Sequence, residues 1–406
     1  MVVAQIVPEQ TIPNSEIPRV ALRLLASTED NVARSPGIFT KEDLINIKLY
    51  VKKGLALPEK LEEVIVFLGY EKSGIPGLEP VDIKELFDDI REHAQDWEGL
   101  QTKVINQSVQ LESSSQRIVT TGDTFLSVID QWPFFQKLQE LGEVADEVLE
   151  GIQFEEQDYQ ASLALGQYLD LLKQEISDQK AKTQVVATAV SDYKIALAGG
   201  TLSNGVRTSG LEPLVKRKKD LMEKNNLEET IEEYQEEIDG LTTRIDQLKK
   251  DYDKFVQLAF TGATGGVIGI AITGGIFGRK AEKARKERNA KIKERRALKA
   301  KLSGAQALQR AIDDLADDFD DMGIRMLDAE QALQHLGFMW DTMLQKITES
   351  QNQWANVNDG LTLLAFIPVF QNIIDPWREV GDLSGYLIET IDEALEEYKK
   401  FYEQQN

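Results

Sequence analysis

Ile83, Ile90, Trp97, Val104, Leu111, Ile118 and Phe125 recur every seven residues without a break. A seven-residue apolar period held over that span predicts one long helix of coiled-coil type, starting near residue 82. At 1.5 Å per residue, nearly 50 residues make a rod of roughly 70 Å. Positions beside this seam include Gln107, Ser108, Ser114 and Ser115. Its middle is therefore polar, which points either to loose packing or to a face shared by several neighbours. Upstream, residues 1–38 contain prolines and lack a period, and read as a tail. Thr40 with Asp43 forms a capping-box pair that opens a helix to about Lys53. Pro58 opens a second helix carrying Leu61, Ile65 and Leu68, and 71–81 reads as a loop.

Pro133 ends the long helix, because proline lacks the amide that would continue it. A further helical tract runs from Phe134 to Ala198 with an interruption near Gly151, and the polar, glycine-rich stretch 199–210 is a loop. A helix starting near Pro213 carries Leu227, Ile231, Tyr234, Ile238, Leu241, Ile245, Leu248 and Tyr252 at alternating spacings of four and three. The same pattern returns later, from Leu298, Leu302 and Ala305 through Leu308, Ile312, Leu315, Phe319, Met322, Met326, Ala329, Leu333 and Leu336. The apolar stretch Leu361–Ile374, interrupted by Pro368, is short enough to be buried core. A last amphipathic helix carries Leu383, Leu387, Ile391, Leu395 and Tyr398. No series of strands is visible, so the expected fold class is all-α. Residues 1–38 form the tail, 39–212 and 326–406 a helical bundle, and 213–325 a coiled-coil stalk with a membrane-active head.

That head is the segment 255–278, FVQLAFTGATGGVIGIAITGGIFG, 24 consecutive uncharged residues in a chain that is 28% charged. As one helix it would be about 36 Å long, against ~30 Å of bilayer hydrocarbon. Seven of its residues are glycine: Gly262, Gly265, Gly266, Gly269, Gly274, Gly275 and Gly278. Each glycine costs a helix in water about 1 kcal/mol relative to alanine, so a buried core helix is not built this way. Glycines four apart suit close helix packing in lipid. The residues that would enter the bilayer are Phe255, Leu258, Phe260, Val267, Ile268, Ile270, Ile272, Ile276 and Phe277.

Flanking charges indicate that the chain folds back here rather than crossing once. With a turn near Val267, the basic run Lys216–Lys219 faces Asp313, Asp314, Asp317, Asp318, Asp320 and Asp321. The acidic run Glu228, Glu229, Glu232, Glu233, Glu236 and Glu237 faces Arg295, Arg296, Lys299 and Lys301. Two blocks of opposite sign matching in one register favour an antiparallel hairpin. Directly after the tip, residues 279–301 hold twelve basic and three acidic side chains. Arg279, Lys280, Lys283, Arg285 and Lys286 lie at the rim, where anionic headgroups attract each basic residue by about 1 kcal/mol. Each leg of a centred hairpin has about 12 residues, ~18 Å of helix, too short to span the hydrocarbon alone.

Composition narrows the function further. Net charge is −23, which repels phosphate backbones and argues against a nucleic-acid partner. There is no cysteine, and the two histidines, His93 and His335, lack metal-ligand spacing. Carboxylates on heptad-patterned helices are solvated faces, and no triad, phosphate loop or metal motif accompanies them, so no catalytic residue, cofactor or metal is expected. The N-terminus lacks the basic and apolar regions of a Sec signal, so any export is expected to use another route. Two other readings of 255–278 remain, a single-span anchor of a membrane-attached coiled coil and the buried end of a scaffold rod.

The layout of a long helical bundle, no cysteine, and an apolar glycine-rich tip between arms 213–254 and 279–336 resembles the cytolysin-A-type α-helical pore-forming toxins. Most closely it resembles the A component of the xenorhabdolysin-type binary cytotoxins. The resemblance covers most of the chain as architecture, and its specific part is the tip with its arms. It implies a secreted protein that binds the target-cell lipid bilayer and changes shape. It also implies recruitment of a separate B component and self-association with it into a lytic ring, with the A component seating the membrane-spanning B component.

Overall fold

The computed structural model describes residues 38–68, 71–224, 232–260, 274–301 and 307–400. The first helix, α1 (Lys41–Leu55), is opened by Thr40, whose hydroxyl accepts from the Asp43 amide at 3.1 Å while Asp43 accepts from the Thr40 amide at 2.8 Å. This reciprocal pair satisfies two amides that the first helical turn leaves without partners. A short α2 (Leu61–Leu68) follows, then α3 (Pro80–Gln131). Pro80 stands at the first position of α3, where its missing amide costs nothing. The 52 residues of α3 make a rod of about 78 Å. All seven residues of the expected seam are buried along it.

Pro133 stops α3 and begins α4 (Pro133–Leu141), with Trp132 held extended between them (ψ 124°) as a residue before proline prefers. The chain continues through α5 (Asp146–Glu150) and α6 (Glu156–Ala198). The glycine-rich stretch is more ordered than a loop. β1 (Gly200–Thr201) pairs antiparallel with β2 (Arg207–Thr208), and Gly199, Gly200, Gly205 and Gly210 take positive φ around them. Strands of two residues carry no period, which is why the pattern did not show them. Then come α7 (Leu211–Lys224), α8 (Glu232–Phe260), α9 (Gly274–Lys301), α10 (Ala307–Trp354) and α11 (Gly360–Tyr398).

The body is a bundle of α3, α6, α10 and α11, each antiparallel to the neighbour it packs on, with α1 added at one end. Arg117 of α3 donates to Glu175 of α6 at 3.1 Å, Lys173 of α6 to Gln351 of α10 at 3.0 Å, and Arg378 of α11 to Asp123 of α3 at 2.9 Å. The polar middle of the α3 seam serves several neighbours and is not loosely packed. The buried Thr183 hydroxyl of α6 accepts from Gln107 of α3 at 2.9 Å and from Trp340 of α10 at 3.0 Å. One hydroxyl, with two lone pairs, thereby joins three helices.

The stretch Leu361–Ile374 is core, as expected: Leu363, Phe366, Phe370 and Ile374 are buried. It does not end at Pro368, however. α11 runs through both Pro368 and Pro376 and takes in the final amphipathic segment. An internal proline costs a helix about 3 kcal/mol. Burial of Phe366, Phe370, Ile374 and Trp377 on the same helix offsets that cost, with Phe370 packed on Phe125 (4.6 Å between rings) and Trp377 stacked on Trp340 (5.1 Å).

Candidate membrane-active hairpin and its docking face

α8 and α9 lie side by side, antiparallel. Leu241, Ile245, Leu248 and Tyr252 supply the buried stripe of α8, and Ala284 and Ile292 that of α9. Arg244 of α8 donates to Glu287 of α9 (Nε at 3.1 Å), and Arg295 of α9 to Thr242 of α8 at 2.9 Å. α7 and α10 form a second antiparallel pair, in which Lys219 and Asp313 meet at 2.9 Å, as the charge register predicted. The second block of that register, Glu228–Glu237 against Arg295–Lys301, falls largely outside the described side chains. Arg295, the described basic member, pairs instead with Thr242 and Asp317.

The two helix pairs are not collinear, and here the structure departs from a straight stalk. Arg295 of α9 pairs with Asp317 of α10, and Arg288 of α9 with Asp321 of α10 at 2.9 Å. Lys249 of α8 reaches Asp320 of α10 at 2.9 Å. Residues 22 apart on one continuous helix would stand about 33 Å from each other. The α8–α9 hairpin is therefore folded back along the body, against α10 and against the start of α1. Arg285 donates to Glu42 at 3.1 Å, and Asn289 to Glu42 at 2.6 Å.

This arrangement decides where the expected site residues lie. Phe255 is half-buried against Leu248, Tyr252, Ala284 and Ile324, with the Lys280 ammonium 5.6 Å from its ring centre. Leu258 and Phe260 belong to the last turns of α8, and Gly274, Gly275, Ile276, Phe277, Gly278 and Arg279 to the first turns of α9. Gly262, Gly265, Gly266, Val267, Ile268, Gly269, Ile270 and Ile272 lie outside the described residues. Lys280, Lys283 and Lys286 are exposed. Arg285 differs from these lysines. It is buried between Glu42 and Asp43, so its expected contact with headgroups does not occur in this conformation. Helical geometry explains the split: Lys283 and Lys286 project to solvent while Arg285 points at the body.

Sequence reasoning missed the docking face itself. Arg285, Arg288, Arg295 and Arg325 are all buried, and Glu42, Asp43, Asp317 and Asp321 meet them. Arg325 bridges Asp43 at 2.5 Å and Asp321 at 2.7 Å. Burial works against its charge, but Asp321, Asp43 and Glu42 outweigh that and hold the guanidinium above its ordinary range. Arg288 goes the other way. Burial, aided by Arg325 and Arg285 nearby, pushes it below its ordinary value despite Asp321. Its remaining terminal nitrogen has no hydrogen-bond partner among the described residues. Among the described residues there is no cluster with metal-ligand geometry, and no helix is long and apolar enough to cross a membrane.

No family model and no curated protein matches the chain. Solved structures do. YaxA from Yersinia enterocolitica is 50% identical, with 90% of this chain and 100% of that one covered, at a TM-score of 0.52. XaxA from Xenorhabdus nematophila is 39% identical at the same coverage, TM-score 0.50. The YaxAB pore complex matches at 49% identity, 90% and 100% coverage, and TM-score 0.52. An all-α bundle carrying a long antiparallel hairpin, at this identity to pore-complex subunits, is an α-helical pore-forming toxin subunit. The chain belongs to the family of YaxA and XaxA, the A-type subunits of the xenorhabdolysin-type toxins.

Proposed function

We propose that this chain seats a binary pore on a target-cell membrane, through the apolar segment 255–278 at the distal end of the α8–α9 hairpin. It recruits a separate B component and oligomerises with it into a ring. The observation that carries this reading is the antiparallel contact of α8 with α9, fixed by Arg244–Glu287 and Arg295–Thr242. Because both helices lead to the same end, the uncharged segment enters and leaves on one side of the bilayer, which a single-span anchor does not do. Legs of ~18 Å reach into one leaflet but do not cross ~30 Å, so water conduction falls to the partner that spans.

On this reading residues 39–212 and 326–406 supply the helical bundle and 213–325 the stalk and head, of which the α8–α9 hairpin is the part that moves. The protein acts outside the cell that makes it, on a host membrane. Relatives in solved pore complexes support assembly with a B component. The test is lysis of erythrocytes by the purified chain with and without its B partner, together with flotation on vesicles. Lysis only with both, and flotation of this chain alone, is the expected pattern. Lysis by the partner alone at the same rate, or no flotation, contradicts it.

A further inference from the structure

The contact that holds the hairpin against the body is ionic where a permanent helix contact is apolar. Among the described residues its apolar part is the cluster Leu248, Tyr252, Ala284 and Ile324 with Phe255 beside them, separate from the main core. Beside it Arg285, Arg288 and Arg295 of α9 face Glu42, Asp43, Asp317 and Asp321 of α1 and α10, with Lys249 on Asp320 and Asn289 on Glu42. Buried ion pairs contribute little net stability, because desolvation offsets their attraction, and both halves rehydrate readily once apart. Such a contact specifies one geometry yet can be reversed.

Arg288 shows what is missing from it. The side chain is 1% exposed, has Asp321 at 2.9 Å on one nitrogen and leaves another without a partner among the described residues. Arg285, one turn away, is held by Glu42. A guanidinium is a planar fork of donors that matches a phosphate as well as a carboxylate. Lys280, Lys283 and Lys286 are exposed on the same helix and lead toward the tip, so an anionic surface meets this helix first at its lysines.

We propose that Arg285 and Arg288 form an occluded binding site for the phosphate of an anionic lipid headgroup, closed in this state by Glu42, Asp43 and Asp321. Headgroup phosphate replaces those carboxylates, and the hairpin swings away from α1 and α10. The inference rests on the membrane-docking function above and adds its ligand and its trigger. Release separates Arg295 from Asp317 and lets α9 and α10 approach the straight line that their heptads permit.

The chain has no cysteine, so Leu55→Cys on α1 and Lys293→Cys on α9 give two unique positions for spin labels, both exposed. The distance between them is read by pulsed dipolar spectroscopy in buffer, with phosphatidylcholine vesicles, with vesicles that also contain phosphatidylserine, and with inorganic phosphate. A short distance is expected in buffer and with phosphatidylcholine, and one longer by roughly 20–30 Å on the anionic vesicles. The variant Glu42→Gln/Asp321→Asn, with its helix content checked by circular dichroism, is expected to populate the long distance in buffer alone. An unchanged distance on anionic vesicles that have bound the protein overturns the proposal and leaves membrane docking standing. Absence of vesicle binding defeats the docking function instead, and the carboxylate variant in buffer then decides the latch: a short distance there overturns it. Opening by inorganic phosphate alone, or equal opening on phosphatidylcholine, overturns the assignment to an anionic headgroup.

Discussion

Arg295 and Asp317 form a buried ion pair although 22 positions separate them along the chain. The pair fixes the hairpin in its folded-back position, and removing one member strands the other charge. Asp317→Ala is expected to cost about 3 kcal/mol of hairpin docking, because an uncompensated buried guanidinium is left behind. Hydrogen exchange across residues 280–295 should accelerate accordingly. Lys219→Ala, at a pair whose lysine is 41% exposed, is expected to change stability by less than ~1 kcal/mol. Equal exchange rates in the two variants would contradict the assignment of Arg295–Asp317 to the latch.

His93 makes the body sensitive to acid. Its ring stacks on Tyr193 (4.0 Å between centres), its Nδ1 lies 2.9 Å from the Tyr50 hydroxyl, and its Nε2 lies 3.2 Å from the Tyr193 carbonyl. Burial lowers its pKa from 6.5 to about 4, only partly opposed by the hydrogen bond to the Tyr193 carbonyl. The unfolded chain therefore binds the proton first. Stability is full above pH 6.5 and falls as pH drops through that window, by about 2 kcal/mol at pH 5 from this group. Urea unfolding at pH 7 and pH 5 should show that loss in the wild type, beyond the loss seen in His93→Gln.

Thr183 is the single acceptor for two buried donors on different helices, Gln107 and Trp340. Thr183→Val leaves both unpaired and is expected to lower unfolding stability by about 2–4 kcal/mol. Thr183→Ser, which keeps the hydroxyl, is expected to lose about 1 kcal/mol or less. Chemical denaturation of the two variants measures the difference.

Gly122 sits where α3 crosses α11. A Cβ there would stand 2.7 Å from Ile374 Cγ1 and 2.9 Å from Cγ2. Alanine usually favours a helix over glycine by about 1 kcal/mol, but overpacking costs about 1–3 kcal/mol and wins here. Gly122→Ala should lower the thermal midpoint in the wild type but not in the Ile374→Ala background, where the atoms it would strike are gone.

The long helices were legible because their signals repeat. Seven seam positions from Ile83 to Phe125, the Thr40–Asp43 cap and the Pro133 break each express one rule many times or at one sharp point. The folded-back hairpin was not legible, because one block of charge can serve two partners. Asp313–Asp321 complements Lys216–Lys219 as well as the arginines of α9, and the structure uses it for both, through Lys219–Asp313 and Arg295–Asp317. The burial of Arg285 in this conformation was not legible for the same reason. A run of basic residues does not say which of them face inward, and only α1, with Glu42 and Asp43 far away in sequence, decides it. Pro368 misled because helix rules are local, whereas the packing of Phe366 and Phe370 on Phe125 is not.

The central claim is that the uncharged end of the hairpin is what enters lipid. Ile268→Asp and Ile270→Asp each place a carboxylate in that segment, at a cost of roughly 3 kcal/mol within hydrocarbon. Haemolysis in the presence of the B partner measures the consequence directly. Loss of lysis with an unchanged circular dichroism spectrum is the expected result; undiminished lysis by both variants would contradict the account.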